Sequence, residues 1–171
     1  MNAHPARQMS DTIDVISHSV AQTMRIGQRL GELLRVGDLV LLYGDFGAGK
    51  THLTKGIAQG LGSNDMVNSP SFVLINEYRA GASHGRAPIF HIDLYRLEKP
   101  LALAGIGLDE AVDGHGICII EWAERAQGWV PSDHLAVRMR HMSDTKRALR
   151  FEPHGAGALA LVQALKRSAF A

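Results

Sequence analysis

The chain contains one cysteine, Cys118. No internal disulfide is possible, and the setting of Cys118 in the apolar run Ile-Cys-Ile-Ile at residues 117–120 reads as a small buried side chain in a reducing cytoplasm. Charge of one sign is also scarce: 18 Lys and Arg against 17 Asp and Glu leave a formal net charge of +1. That balance excludes a protein that grips nucleic acid through a strongly basic surface, so RNA contact is expected only locally or through a partner. No apolar run approaches the roughly 18 residues of a membrane span, and residues 1–14 lack the apolar core of about 7–15 residues that a signal peptide needs. Internal repeats are absent, and so is the Asn-Lys-x-Asp pattern of guanine recognition. His115, His134, His141 and His154 show no metal-ligand spacing and read as surface residues. A length of 171 residues, 46% hydrophobic and 20% charged, suits one soluble domain with a real core. The expectation is a flexible tail over residues 1–12 and a single domain over 13–171, cytoplasmic, without membrane contact, and monomeric when alone.

What the chain has is a phosphate loop. Gly44-Asp45-Phe46-Gly47-Ala48-Gly49-Lys50-Thr51 completes the Walker A pattern directly after the apolar run at residues 39–43 and before a helix-forming stretch at 51–59. Gly44, Gly47 and Gly49 allow the positive φ values that turn successive N–H groups inward. Lys50 reaches β/γ-phosphates, the Thr51 hydroxyl reaches Mg²⁺, and the anion lies on a helix N-terminus.

Around it the hydrophobic periods predict an α/β fold. A strand is expected at 12–17, then a helix capped by Ser19 that runs to about residue 34 with Val20, Met24, Leu30, Leu33 and Leu34 near one face. Strands follow at 72–78 and 89–95, joined as a hairpin through the glycine-rich stretch 80–86. A mixed helix and turn at 101–111 precedes the apolar strand 117–120, and strands at 135–142 and 148–152 lead to a closing helix at 156–166. The two wholly apolar strands followed by helices indicate a parallel centre. The hairpin and the final strand pair suggest antiparallel additions at the edges.

Glu121 ends the apolar run 117–120. A carboxylate there is where a P-loop enzyme places its metal-side acid, since strand ends and the phosphate loop share one rim of the sheet, although Asp is the usual choice. Taken alone, Glu121 also reads as an exposed strand-end residue. Trp122 reads either as a core aromatic or as a cover for a base. Strand alternation puts His91, Asp93 and Tyr95 on one side and Ile92 and Leu94 on the other, so His91 and Tyr95 are expected to orient Asp93 or to satisfy a buried edge, with a direct catalytic or partner-contact role as the alternative. The role of Arg96 is left open. Arg138, Arg140, Arg147 and Arg150 form a basic stripe, by default a solvated face and alternatively a dock for an RNA-bearing partner.

The chain resembles the TsaE (YjeE) family of small bacterial P-loop ATPases in tRNA threonylcarbamoyladenosine synthesis. The resemblance rests on the phosphate loop, Ser69-Pro70-Ser71-Phe72 with Asn76-Glu77-Tyr78, His91-Ile92-Asp93-Leu94-Tyr95-Arg96-Leu97, and Ile120-Glu121-Trp122-Ala123-Glu124-Arg125, in that order. It implies a three-layer, P-loop NTPase-like sandwich with a mixed sheet. It further implies ATP as substrate, ADP as product and Mg²⁺ as cofactor, with TsaB and TsaD as partners and tRNA reached through their complex. Carried over, the loop residues 44–51, His52 and Trp122 hold nucleotide, and Thr51, Glu121 and Ser71 serve the metal. Lys50, Asp93 and Glu121 are catalytic, Asp93 by orienting the attacking water. Ser71 stands where Thr is usual, His52 where a second hydroxyl residue is common, and Ala123 where Pro is common. A small-molecule P-loop kinase is the alternative, but it calls for an acceptor pocket and an arginine-rich lid.

Overall fold

Strands covered on both faces read as unbroken apolar runs, whereas half-covered ones alternate. In the computed structural model, which describes residues 11–70, 74–99 and 105–169, the two such runs are β2 (Leu39–Tyr43) and β5 (Ile117–Glu121). They lie side by side and parallel, with Leu39 opposite Cys118 and Leu42 opposite Glu121. Every residue of β5 is buried. β4 (Pro88–Asp93) runs parallel to β5 and pairs Asp93 with Glu121, and β3 (Ile75–Arg79) adds antiparallel to β4. The described strands form one sheet, β1-β7-β6-β2-β5-β4-β3, where β1 is Ile13–Ser17, β6 His134–His141 and β7 Arg147–His154.

The expected topology holds, and the structure extends its parallel centre by one strand. The final pair β6 and β7 is antiparallel as expected, but β6 is not confined to an edge: it also lies parallel beside β2, with Val40 opposite Leu135, and so extends the parallel centre, while β7 runs antiparallel to both of its neighbours, β6 and β1. The reason is legible in its burial: Leu135, Ala136 and Val137 are all buried, so this strand too is covered on both faces. The strand expected at 72–78 starts at Ile75, and residues 71–73 lie outside the described residues, as do 1–10 of the expected tail.

Alternation divides the core in two. Val40, Leu42, Ile117, Ile119, Leu135 and Val137 face a layer built of α1 (Val20–Leu33), α2 (Lys50–Gly60) and α4 (Ala156–Ala169). Leu39, Leu41, Cys118 and Ile120 face the short α3 (Leu108–Val112), the 3₁₀ turn at Ala123–Ala126 and the segment through Leu94 and Leu97. Ser19 caps α1 as expected, accepting from the Gln22 N–H at 3.1 Å. The inward face of α1, however, is Thr23, Gly27, Leu30 and Gly31, while Val20 is 50% exposed. Glycines set that face because the helices touch backbone to backbone. A Cβ at Gly27 or Gly31 would run into the Leu53 or Ile57 carbonyl of α2, and one at Gly56 or Gly60 into the Met24 or Gln28 carbonyl of α1. A glycine inside a helix costs about 0.5–1 kcal/mol relative to alanine, so four in register are kept for this close approach.

The C-terminal ends of β2, β4 and β5 thus open on one rim. The phosphate loop follows β2, Asp93 ends β4, and Glu121 ends β5. This is the edge at which parallel α/β sheets place their ligands.

Candidate functional site

The loop between β2 and α2 takes the backbone its glycines permit: φ is 151° at Gly44, 80° at Gly47 and 97° at Gly49, the N-cap of α2. Gly44 is needed for space as well, since a Cβ there would lie 2.5 Å from the Met139 carbonyl oxygen. Ala48 is buried in the core and closes the loop by donating its N–H to the Asp45 carbonyl at 3.1 Å. Phe46 at the tip is 83% exposed.

Lys50 begins α2 and turns back into the loop. Its Nζ donates to the carbonyl oxygens of Gly44 at 2.5 Å and Asp45 at 2.9 Å, and it sits 4.2 Å from the centre of the Trp122 ring. Burial pushes the Lys50 ammonium below its usual pKa, against the opposing fields of Glu121, Glu124, Asp93 and Asp45. Thr51, next along, donates its hydroxyl to Glu121 at 3.2 Å (Oε1) and 3.3 Å (Oε2). His52 lines the same cleft, its imidazole pKa lowered by burial and by the nearby Lys55 and Arg147 charges.

Glu121 is buried rather than an exposed strand end. Its Oε1 also accepts from His91 Nε2 at 2.8 Å, and His91 Nδ1 lies 3.3 Å from the Tyr78 hydroxyl. One of the two roles expected for His91 is corrected: it faces the α2 side of the sheet with Asp93, as alternation requires, but it bonds Glu121 and does not orient Asp93. Asp93 is instead fixed by Ser69 Oγ at 3.0 Å and by the Tyr95 backbone N–H at 2.9 Å. The Tyr95 side chain turns away to the mouth of the cleft, 5.0 Å from the Trp122 ring and 6.2 Å from Phe46 between centroids. Trp122 itself has φ 56°, a left-handed conformation that costs a non-glycine residue roughly 1–2 kcal/mol. It is neither a fully buried core aromatic nor free: one part packs on the second core cluster and another walls the cleft.

These groups surround a cleft of about 560 Å³, which Ser69, Pro70 and Arg96 also line. Ser71 lies outside the described residues. Sequence reasoning missed Arg147, which it assigned to a solvated stripe. The first residue of β7, it crosses to the phosphate loop and donates its Nε–H to the Gly47 carbonyl at 3.2 Å, while Nη1 donates to the Ser143 and Lys146 carbonyls. No signal in the local sequence marks that contact, since it depends on β7 pairing with β6 and β6 with β2. Of the remaining stripe, Arg138 pairs with Glu152 at 3.0 Å and lies over Tyr43, so it behaves as the solvated face expected.

Among the described residues no group of three or more His, Cys, Asp or Glu side chains converges as a metal cage. The oxygen pair Thr51 and Glu121 nevertheless fits Mg²⁺, which takes one or two protein oxygens and completes its shell with phosphate oxygens and water.

A family model described as "Threonylcarbamoyl adenosine biosynthesis protein TsaE" matches residues 17–149, and that span takes in the phosphate loop, Asp93 and Glu121. The chain belongs to the TsaE family. A Bacillus subtilis (strain 168) relative named tRNA threonylcarbamoyladenosine biosynthesis protein TsaE is 37% identical over 134 residues, covering 78% of this chain and 81% of its own. A TsaE protein of Nostoc sp. is 39% identical over 135 residues, covering 77% and 80%. The crystal structure of Bacillus subtilis YdiB superposes with a TM-score of 0.80 at 31% identity, over 95% of this chain and 99% of that one. The TsaE match ends at Leu149, so Arg147 falls inside it and all of α4 outside. No described helix of this TsaE-family chain is long and apolar enough to cross a membrane.

Proposed function

We propose that this chain is a Mg²⁺-dependent ATP hydrolase of the threonylcarbamoyladenosine modification of tRNA, at the adenosine next to the anticodon, working in the cytoplasm with TsaB and TsaD. One observation carries the reading. Thr51 and Glu121, 70 residues apart in sequence, meet at 3.2 Å on the rim of the phosphate loop, with Asp93 paired to Glu121 across the strands.

The N–H groups of residues 47–51 and the N-terminus of α2 receive the phosphates, and the Lys50 ammonium turns from the Gly44 and Asp45 carbonyls to the β/γ-oxygens. Thr51 and Glu121 would hold Mg²⁺, which when bound would supply positive charge to offset the negative charge of phosphoryl transfer. Asp93, held by Ser69 and the Tyr95 N–H, presents its carboxylate to orient the attacking water. Trp122, poised over Lys50, covers the nucleotide. The protein forms no covalent bond; its contribution is positioning and charge stabilisation. TsaD carries the threonylcarbamoyl transfer, and hydrolysis on this chain resets the complex between turnovers, slowly alone and faster on assembly.

Phosphate release from ATP and from GTP, measured with the chain alone and with TsaB and TsaD added, tests the proposal. The expected result is Mg²⁺-dependent hydrolysis into water, selective for ATP and stimulated by both partners together. Phosphate transferred to an added small acceptor would establish a kinase instead, and no turnover under either condition would refute the reading.

A further inference from the structure

His91 is completely buried, 0% exposed, and the hydrolysis scheme leaves it without a task. Its two ring nitrogens are both engaged, Nε2 by Glu121 and Nδ1 by the Tyr78 hydroxyl. An ionised carboxylate only accepts, so Nε2 carries the hydrogen, and in the neutral imidazole Nδ1 is left to accept from Tyr78. Burial raises the Tyr78 phenol above its ordinary pKa, against hydrogen bonds from Asn76 and to Asn68, so the hydroxyl keeps its single proton. That proton has two acceptors within reach, His91 Nδ1 at 3.3 Å and the Asn68 carbonyl at 3.1 Å. Asn76 Nδ2 donates to the hydroxyl at 3.2 Å and to the same Asn68 carbonyl at 3.3 Å, so the carbonyl stays bonded when the hydroxyl turns to His91. Among the described residues every buried side-chain nitrogen and oxygen is satisfied. Asn68 immediately precedes Ser69, whose hydroxyl holds Asp93.

We propose that His91 and Tyr78 are positioning residues that couple Glu121 to the Asn68–Ser69 backbone, so that the metal-side carboxylate and the water-side carboxylate Asp93 are set in place together. The coupling rests on the assignment of Glu121 to the metal. It runs along one chain of hydrogen bonds, buried at its centre, from Thr51 to Glu121 to His91 to Tyr78 and, through the Asn76 amide, to Asn68, which joins the first turn of α2 to the Asn68–Ser69 segment. Groups behind a metal ligand fix its orientation, and losing one typically changes metal affinity or activity by about 10–100-fold.

The decisive variant is Tyr78→Phe, which removes one oxygen and leaves the ring. ATP binding is titrated calorimetrically with and without Mg²⁺. The expected result is metal-free ATP affinity within about twofold of wild type and about tenfold more Mg²⁺ needed for half of its tightening effect. His91→Gln keeps an N–H donor for Glu121 but has no second ring nitrogen, so in that background Tyr78→Phe should add less than about twofold. A tenfold effect in both backgrounds, or none in the first, overturns the coupling. The ¹⁵N resonance of His91 Nδ1 reads the first link without nucleotide: it should shift in Tyr78→Phe, and an unshifted signal also overturns the proposal. A wild-type chain whose ATP binding ignores Mg²⁺ refutes the site assignment together with the coupling. A responsive wild type with an unresponsive Tyr78→Phe contrast refutes the coupling alone.

Discussion

Glu121→Gln separates the metal role of this side chain from its structural one. The carboxylate is buried and meets two donors, the Thr51 hydroxyl and His91 Nε2. The amide of the variant can still accept from His91 through its oxygen. Its NH₂ then faces Thr51, whose hydroxyl rotates from donor to acceptor at little cost. Both neighbours remain bonded, and a buried charge is removed, which offsets the loss of a charge-assisted bond. The stability change should stay within about 1 kcal/mol, or roughly 2–4 °C in melting temperature for a domain of this size. Metal binding has no such compensation. An amide oxygen replaces a formal charge opposite a divalent ion, and a charged hydrogen-bonding contact is worth about 1.5–3 kcal/mol, equivalent to about ten- to hundredfold in affinity. Half-maximal hydrolysis should therefore require about ten to a hundred times more Mg²⁺, while the thermal melt barely moves. Asp93→Asn is the paired control: it should leave the Mg²⁺ requirement and nucleotide affinity near wild type and depress the hydrolysis rate. A selective Mg²⁺ defect in Asp93→Asn, with Glu121→Gln normal, would refute the assignment and exchange the two roles.

Lys50→Ala should weaken ATP binding and hydrolysis together by about 1.5–3 kcal/mol, as measured by calorimetry and phosphate release; wild-type values would disprove the phosphate loop as the site. Trp122 walls the cleft, so Trp122→Phe should abolish most of the nucleotide-induced change in tryptophan emission and Trp129→Phe should preserve it. An undiminished change in Trp122→Phe would remove the stacking role. Arg147→Ala breaks the bond to the Gly47 carbonyl, worth about 0.5–1.5 kcal/mol net, and should lower ATP affinity about two- to tenfold; unchanged affinity would return Arg147 to the solvated stripe. Gly56→Ala should lower the melting temperature, because overpacking against the Met24 carbonyl costs about 1–3 kcal/mol and outweighs a helix-propensity gain of about 0.8–1.0 kcal/mol. A rise in melting temperature would contradict the close approach of α1 and α2.

Several features of this site are local, and the sequence alone was enough to find them. Glycine at positions 44, 47 and 49 is demanded by the turn of the phosphate loop, and the positive φ at all three follows from the missing Cβ. The unbroken apolar runs of β2 and β5 report burial on both faces, which locates the parallel centre and puts Glu121 at its rim. Alternation along β4 correctly turned His91 and Asp93 toward the same layer. Periodicity stopped there, because it states which way a side chain points but not what waits opposite. His91 found Glu121 on the neighbouring strand rather than Asp93 on its own, through the register that sets Asp93 against Glu121 and His91 against Ile119.

By itself, then, the chain determined its elements, its phosphate loop and the carboxylates at the strand ends, since these follow from backbone sterics and from hydrophobic patterning over a few residues. Tertiary structure alone decided the partners: β6 beside β2, Arg147 on Gly47, His91 between Glu121 and Tyr78, and glycines at the crossing of α1 and α2. Each joins segments far apart in the chain. Strand register and helix approach are set by the packing of the whole core, and local spacing carries no record of them.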